Sequence, residues 1–132
     1  MHTTTYGYTK VLDGTSFDDA ITKVTAALKE EGFGILTEID VSATLKAKID
    51  VDFRKYKILG ACNPPLAHKA LTGEPFIGLL LPCNVIVFED DDGKAVVSMV
   101  NPHEMFKVVD NPGLAEIVET VSGKLQTALA NT

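Results

Sequence analysis

The sequence predicts an α+β two-layer sandwich, with a mixed or largely antiparallel sheet and its helices packed on one face. Three observations lead there. Stretches of period 2 and period 3.6 follow one another as strand, helix, strand, helix, strand, helix, strand, strand, helix. The two consecutive strands are joined through Asp90, Asp91, Asp92 and Gly93, and an Asp-Gly pair supplies the positive φ of a tight hairpin, so the sheet is at least partly antiparallel. A chain of 132 residues with 45% hydrophobic content suits one domain, 1–132, which buries roughly two thirds of the surface its unfolded chain would expose. A doubly wound parallel sheet is the alternative. It asks for a glycine-rich first turn, and Leu12 to Ser16 contains only Gly14.

Thr3 to Leu12 alternates threonines with Tyr6, Tyr8 and Lys10 and reads as the first strand. Ser16 then caps a helix that buries Phe17, Ala20, Ile21, Val24, Ala27 and Leu28 on one face and stops at Gly32. A strand follows from Phe33 to Ile39. Asp40 caps a short helix carrying Val41, Leu45 and Ile49, and a third strand lies near Arg54 to Ala61. The next helix runs from Pro64 to about Leu71 and ends at Gly73 and Pro75. Strands at Leu80 to Glu89 and Lys94 to Val100 form the hairpin, and a last helix, Leu114 to Leu129, has Leu114, Ile117, Val118, Val121, Leu125 and Leu129 on one stripe. Asparagine precedes proline at Asn63, Asn101 and Asn111. In each case it is a good N-cap, and proline at the first helical position loses an N–H that had no partner anyway.

The net charge of −6 argues against nucleic acid and anionic membranes, whose phosphates need a positive face. The basic residues Lys46, Lys48, Arg54, Lys55 and Lys57 cluster locally, but Asp50 and Asp52 interrupt them and make a solvated face the expectation. No apolar run is long enough to cross a bilayer, and the N-terminus lacks the pattern of an export signal, so a soluble, cytoplasmic protein is expected. In that compartment Cys62 and Cys83 are expected to be reduced and separate.

The two cysteines are the chemical candidates. Leu79 to Pro82 precede Cys83 and Val85 to Phe88 follow it, so a small buried thiol is expected there. Cys62 adjoins a helix start whose free N–H groups would activate a thiol, but Pro64 and Pro65 remove two of those donors. The pair is not Cys-X-X-Cys. A disulfide could form only if the strands they adjoin run antiparallel. His68 could serve Cys62 as a base one turn into its helix, although a lone helical histidine is more often structural. With His68 and His103 as further ligands the spacing matches no zinc signature, so no metal is expected, and Met99 and Met105 make no stronger case for haem or copper. No motif names a cofactor. A strand end is where sheet proteins often place ligands, so Glu38, Asp40, Lys46, Lys48, Asn63 and Asn84 are the candidate binding residues. They would border a polar pocket formed by Glu38 to Lys57 and the start of the Pro64 helix, with ordinary surface charge as the simpler reading.

The runs EEGFGILTEIDVSATLKAKIDVDFRKYKILGACNPPLAHKAL and IGLLLPCNVIVFEDDDGKAVVSMVNP closely resemble the domain of unknown function 302 family. The resemblance extends from about Phe17 to the last helix, and both cysteines occupy the pattern's cysteine positions. It implies a compact α+β domain, small, bacterial or archaeal, that forms a homodimer. It carries over no catalytic residue, only the positions Cys62, Asn63, Pro64, Pro82, Cys83 and Asn84.

Two functional classes follow. The first is a domain that binds a small molecule or a partner protein without catalysis; the second is a thiol-dependent redox or sulfur-handling enzyme using Cys62 or Cys83. The first is favoured, because no base is placed by the sequence and the proline pair blunts Cys62. Assembly is expected as well. Val85, Ile86, Val87 and Phe88 are apolar toward both faces of the sheet, and Val96, Val97, Met99 and Val100 repeat the pattern, while helices on one side cover only one face. A second copy is the simplest cover for the other, giving a homodimer through the outer face of these two strands.

Overall fold

The structure, a computed structural model, describes residues 4–132; the predicted strand start at Thr3 lies outside the described residues. Five strands form one antiparallel sheet: β1 (Gly7–Leu12), β2 (Gly34–Asp40), β3 (Tyr56–Cys62), β4 (Cys83–Glu89) and β5 (Ala95–Val100), in the order β1-β5-β4-β3-β2. The helices are α1 (Phe17–Glu30), α2 (Val41–Ile49), α3 (Pro64–Gly73), α4 (Pro102–Met105) and α5 (Ala115–Ala130). Together they make the expected α+β sandwich.

The predicted caps explain where the helices begin. Ser16 accepts from the Asp19 N–H, Asp40 from Ala43, Asn63 from Leu66, Asn101 from His103 and Asn111 from Gly113. Gly32 follows α1 at φ 85°, a conformation that costs a glycine little. The connection between β4 and β5 is longer than a two-residue turn: Glu89 pairs with Ala95, and Asp90 Oδ1 accepts from the N–H groups of Asp92 and Lys94.

Several boundaries differ from the sequence expectation. Leu80 does not begin β4; it closes a 3-10 helix, Pro75–Leu80, and β4 starts only at Cys83. Alternation could not separate the two, because the apolar run from Phe76 through Cys83 continues across both. Leu114 belongs to a 3-10 turn ahead of α5, and the segment after Asn101 holds the short α4 and a further 3-10 turn at Phe106–Val108. The stripe expected on α2 is only loosely used: Val41 and Leu45 are half-buried and Ile49 is 63% exposed.

The core lies between one sheet face and two helices. Leu59, Ala61, Cys83, Val85, Val87, Val97 and Met99 meet Ala20, Val24 and Leu28 of α1 and Val121, Leu125 and Leu129 of α5. Burying a side chain of the Val, Leu or Met class contributes about 1.5–3 kcal/mol, so this layer is the main source of stability. The edge strand β1 is tied to α5 by polar contacts. Tyr8 Oη donates to Asn101 Oδ1 at 2.9 Å and lies 2.6 Å from the buried Ser122 Oγ, while Lys10 Nζ donates to the carbonyls of Ala130 and Thr132 at the end of α5. The register puts Val11, Tyr56, Ile58, Ile86, Phe88 and Val96 on the opposite face. Val96 is buried there and the other five are half-buried, with Tyr56 and Phe88 stacked at 5.4 Å.

A candidate apolar binding site

At the end of the sheet where β3 stops and β4 starts, the helical layer does not close. The stripe of α3 that faces inward is Asn63, Leu66, Ala67, Ala70 and Leu71, the spacing of one helix face. Opposite it stand Ile117, Val118 and Val121 of α5, with Ile77, Phe106 and Leu114 from the three 3-10 segments at one side and Ala61, Cys62 and Cys83 from the sheet, with Pro82 just before β4, as the floor. Ala61, Ala67 and Ala70 are too small to fill the gap. An apolar cavity of about 320 Å³ remains.

Two features of the neighbouring strands lie beside it. Strand β2 carries a bulge between Ile35 and Thr37, which leaves Leu36 as the extra residue, 67% exposed and lining the cavity. Gly60, opposite Thr37 in the ladder, leaves room for its neighbours: a Cβ there would lie 2.1 Å from Thr37 Oγ1 and 2.7 Å from Pro82 Cγ. Asn63 is buried and committed to structure, since its Nδ2 donates to the Glu31 carbonyl at 3.2 Å while its Oδ1 accepts from Leu66.

Both cysteines line the cavity as free thiols, Cys83 buried and Cys62 half-buried. Antiparallel pairing of β3 with β4 brings them to the same end of the sheet, yet Cys83 is opposite Ala61, and Cys62 belongs to the alternate set of side chains. Burial pushes the Cys83 thiol up to about 11, with the neighbouring Cys62 adding to the effect, so it is protonated and a poor nucleophile at neutral pH. His68 lies outside the α3 stripe, is exposed, and does not line the cavity that holds Cys62.

The other candidates lie elsewhere. Glu38, Asp40, Lys46 and Lys48 are exposed and none lines the cavity, although Leu36 and Thr37 immediately before them do. Each of the first three has surface work: Glu38 pairs with Lys57 at 2.6 Å, Asp40 caps α2, and Lys46 pairs with Asp50 at 3.0 Å and Asp52 at 3.1 Å. Those hydrogen bonds raise the Lys46 and Lys57 ammonium pKa values. Arg54 is paired with Asp91, so much of the basic cluster is locally neutralised. Asn84 is exposed on β4, on the face away from the core. His103 lies 3.3 Å from Glu119, Met99 is in the core and Met105 packs against it. Among the described residues no three His, Cys, Asp or Glu side chains gather into a group that could hold a metal ion. Nor is any helix among them long and apolar enough to cross a membrane.

Sequence reasoning on charge missed Leu66, Ala67, Ala70 and Leu71. Their signal was present in the spacing i, i+3, i+4, i+7, i+8 from Asn63, with alanine at two of the inward positions.

A family model described as domain of unknown function DUF302 matches residues 8–132. Among solved structures, the chain is similar to the crystal structure of an uncharacterized conserved protein DUF302 from Bacillus stearothermophilus. The two share 29% sequence identity and a TM-score of 0.88, over 97% of this chain and 98% of that one. No curated protein matches.

Proposed function

We propose that this chain, which belongs to the DUF302 family, binds a small apolar molecule in the cavity between α3, α5 and the end of the β3–β4 pair, without catalysis. The observation that carries this reading is the cavity itself. It holds about 320 Å³, within the size range of small-molecule sites. Water in such a space finds few partners, so an apolar group that displaces it gains free energy. The thiol-enzyme reading has less behind it, because the Cys83 pKa is raised and the exposed His68 does not line the cavity that holds Cys62. Two free cysteines suit a reducing, cytoplasmic setting.

The test uses the neutral fluorophore N-phenyl-1-naphthylamine. Saturable binding at one site per chain is expected, with shifts of the Ala61, Ala67 and Ala70 methyl resonances. The cavity-filling changes Ala67→Phe and Ala70→Leu should each weaken binding at least tenfold. Lack of saturable binding, or binding that leaves the three methyl signals unmoved, would refute the reading.

Assembly belongs to the same proposal. A second copy of the chain covers the outer sheet face, where Ile86 and Phe88 lie among Ile58, Tyr56 and Val11, with Phe53 tilted against Tyr56 at 6.2 Å and 46% exposed. Sedimentation at micromolar concentration should give a dimer; a 14.2 kDa monomer would exclude it.

A further inference from the structure

We infer that the part of the ligand held in the cavity is an uncharged hydrocarbon group of about ten carbons, an inference that rests on the binding role proposed above. The first ground is charge. Apart from the two thiols, no ionisable side chain lines the cavity, and the one buried amide, Asn63, is engaged with Glu31 and Leu66. An ion carried inside would lose its hydration and meet no counter-charge, a penalty of several kcal/mol. The environment already disfavours an anion on its own floor, the Cys83 thiolate.

Size is the second ground. A dry apolar cavity of ~150 Å³ accommodates benzene. The present one, at about 320 Å³, is about twice that, which suits a chain of about ten carbons or two fused rings. The third ground is the position of the mouth. Leu36 at 67% exposure and Leu71 at 39% are exposed lining residues, and Thr37, the lining's one hydroxyl, follows Leu36, so a single polar end can stay in water while the hydrocarbon lies between α3 and α5.

Competition against N-phenyl-1-naphthylamine with straight-chain alcohols from hexanol to tetradecanol reads the size. Each added methylene should tighten binding by roughly fourfold up to about decanol and gain little beyond it, the slope being that of burying one CH₂. Decanedioate, which must bring one of its two carboxylates inside, reads the charge and should bind at least thirtyfold more weakly than decanol. Alanine methyl shifts report that each competitor occupies the cavity. A slope that continues unbroken to tetradecanol overturns the size, and decanedioate equal to decanol overturns the charge; in both cases the binding role survives, because the methyl signals still move. Failure of every alcohol to compete, with unmoved methyls, overturns both.

Discussion

Replacing Gly60 with alanine tests how closely β3 packs against Thr37 and Pro82 beside the cavity. The added Cβ would sit 2.1 Å from Thr37 Oγ1, 3.4 Å from Thr37 Cβ and 2.7 Å from Pro82 Cγ, and contacts under about 3 Å force a neighbour to move. Thr37 is β-branched, so rotating its hydroxyl away brings its methyl or hydrogen into new contacts rather than simply clearing space. Pro82 is a rigid ring just before β4, which is paired to β3. Overpacking of this kind costs about 1–3 kcal/mol. Removing a glycine from the unfolded chain returns about 0.4–1 kcal/mol, because Gly60 has no positive φ that alanine would strain. The net loss should be about 1–2 kcal/mol, a fall in Tm of roughly 4–8 °C for a domain of this size. Urea denaturation with an unchanged m-value is the assay. In a double-mutant cycle Thr37→Ala should restore part of the loss, with a coupling of at least about 0.5 kcal/mol, since the two residues are in contact. A Gly60→Ala protein as stable as the parent, or a cycle without coupling, would refute this account of the close packing at Gly60. Because Thr37 and Pro82 both line the cavity, the same change should also shift the affinity for N-phenyl-1-naphthylamine.

Stability should fall at high pH because of Cys83. Its thiol is pushed up to about 11 from 9.0, so between those values the unfolded chain has released a proton that the folded chain retains; the group's contribution is intact below pH 9 and is lost as pH rises through 11, by ~3 kcal/mol in all. Denaturation midpoints from pH 8 to 11 should decline less steeply in Cys83→Ala than in the parent, and identical slopes would contradict the burial argument. Tyr8→Phe removes the hydroxyl that bridges Asn101 and the buried Ser122, and should cost about 1–2 kcal/mol in urea denaturation. A loss under about 0.3 kcal/mol would mean that the remaining contact, Gln126 Nε2 donating to Ser122 Oγ, satisfies the serine without help.

What could be read from the sequence alone was local. Ser16, Asp40, Asn63, Asn101 and Asn111 announce helix starts because a cap is settled by a side chain and an N–H two or three residues away. Burial of Cys83 followed from the apolar residues around it, and the α+β class from alternating periods and the acidic hairpin. The segment from Pro75 to Pro82 was misread at its boundary because uniform apolarity carries no period. The functional candidates chosen for charge, Glu38, Asp40, Lys46 and Lys48, lie along the surface, since charge in a sequence marks solvation more often than binding.

Only the tertiary structure decided the strand order, which sets β3 between β2 and β4 and so brings Cys62 and Cys83 to one end of the sheet. It likewise decided the cavity, whose walls come from β2, β3, β4, α3, α5 and the 3-10 segments. A helix stripe or a strand face is a property of neighbours in the chain, legible from their spacing. A hollow is what remains when Ala61, Ala67 and Ala70, distant from Ile117 and Val121 in sequence, fail to fill the space between packed elements, and that volume exists only once the layers have met.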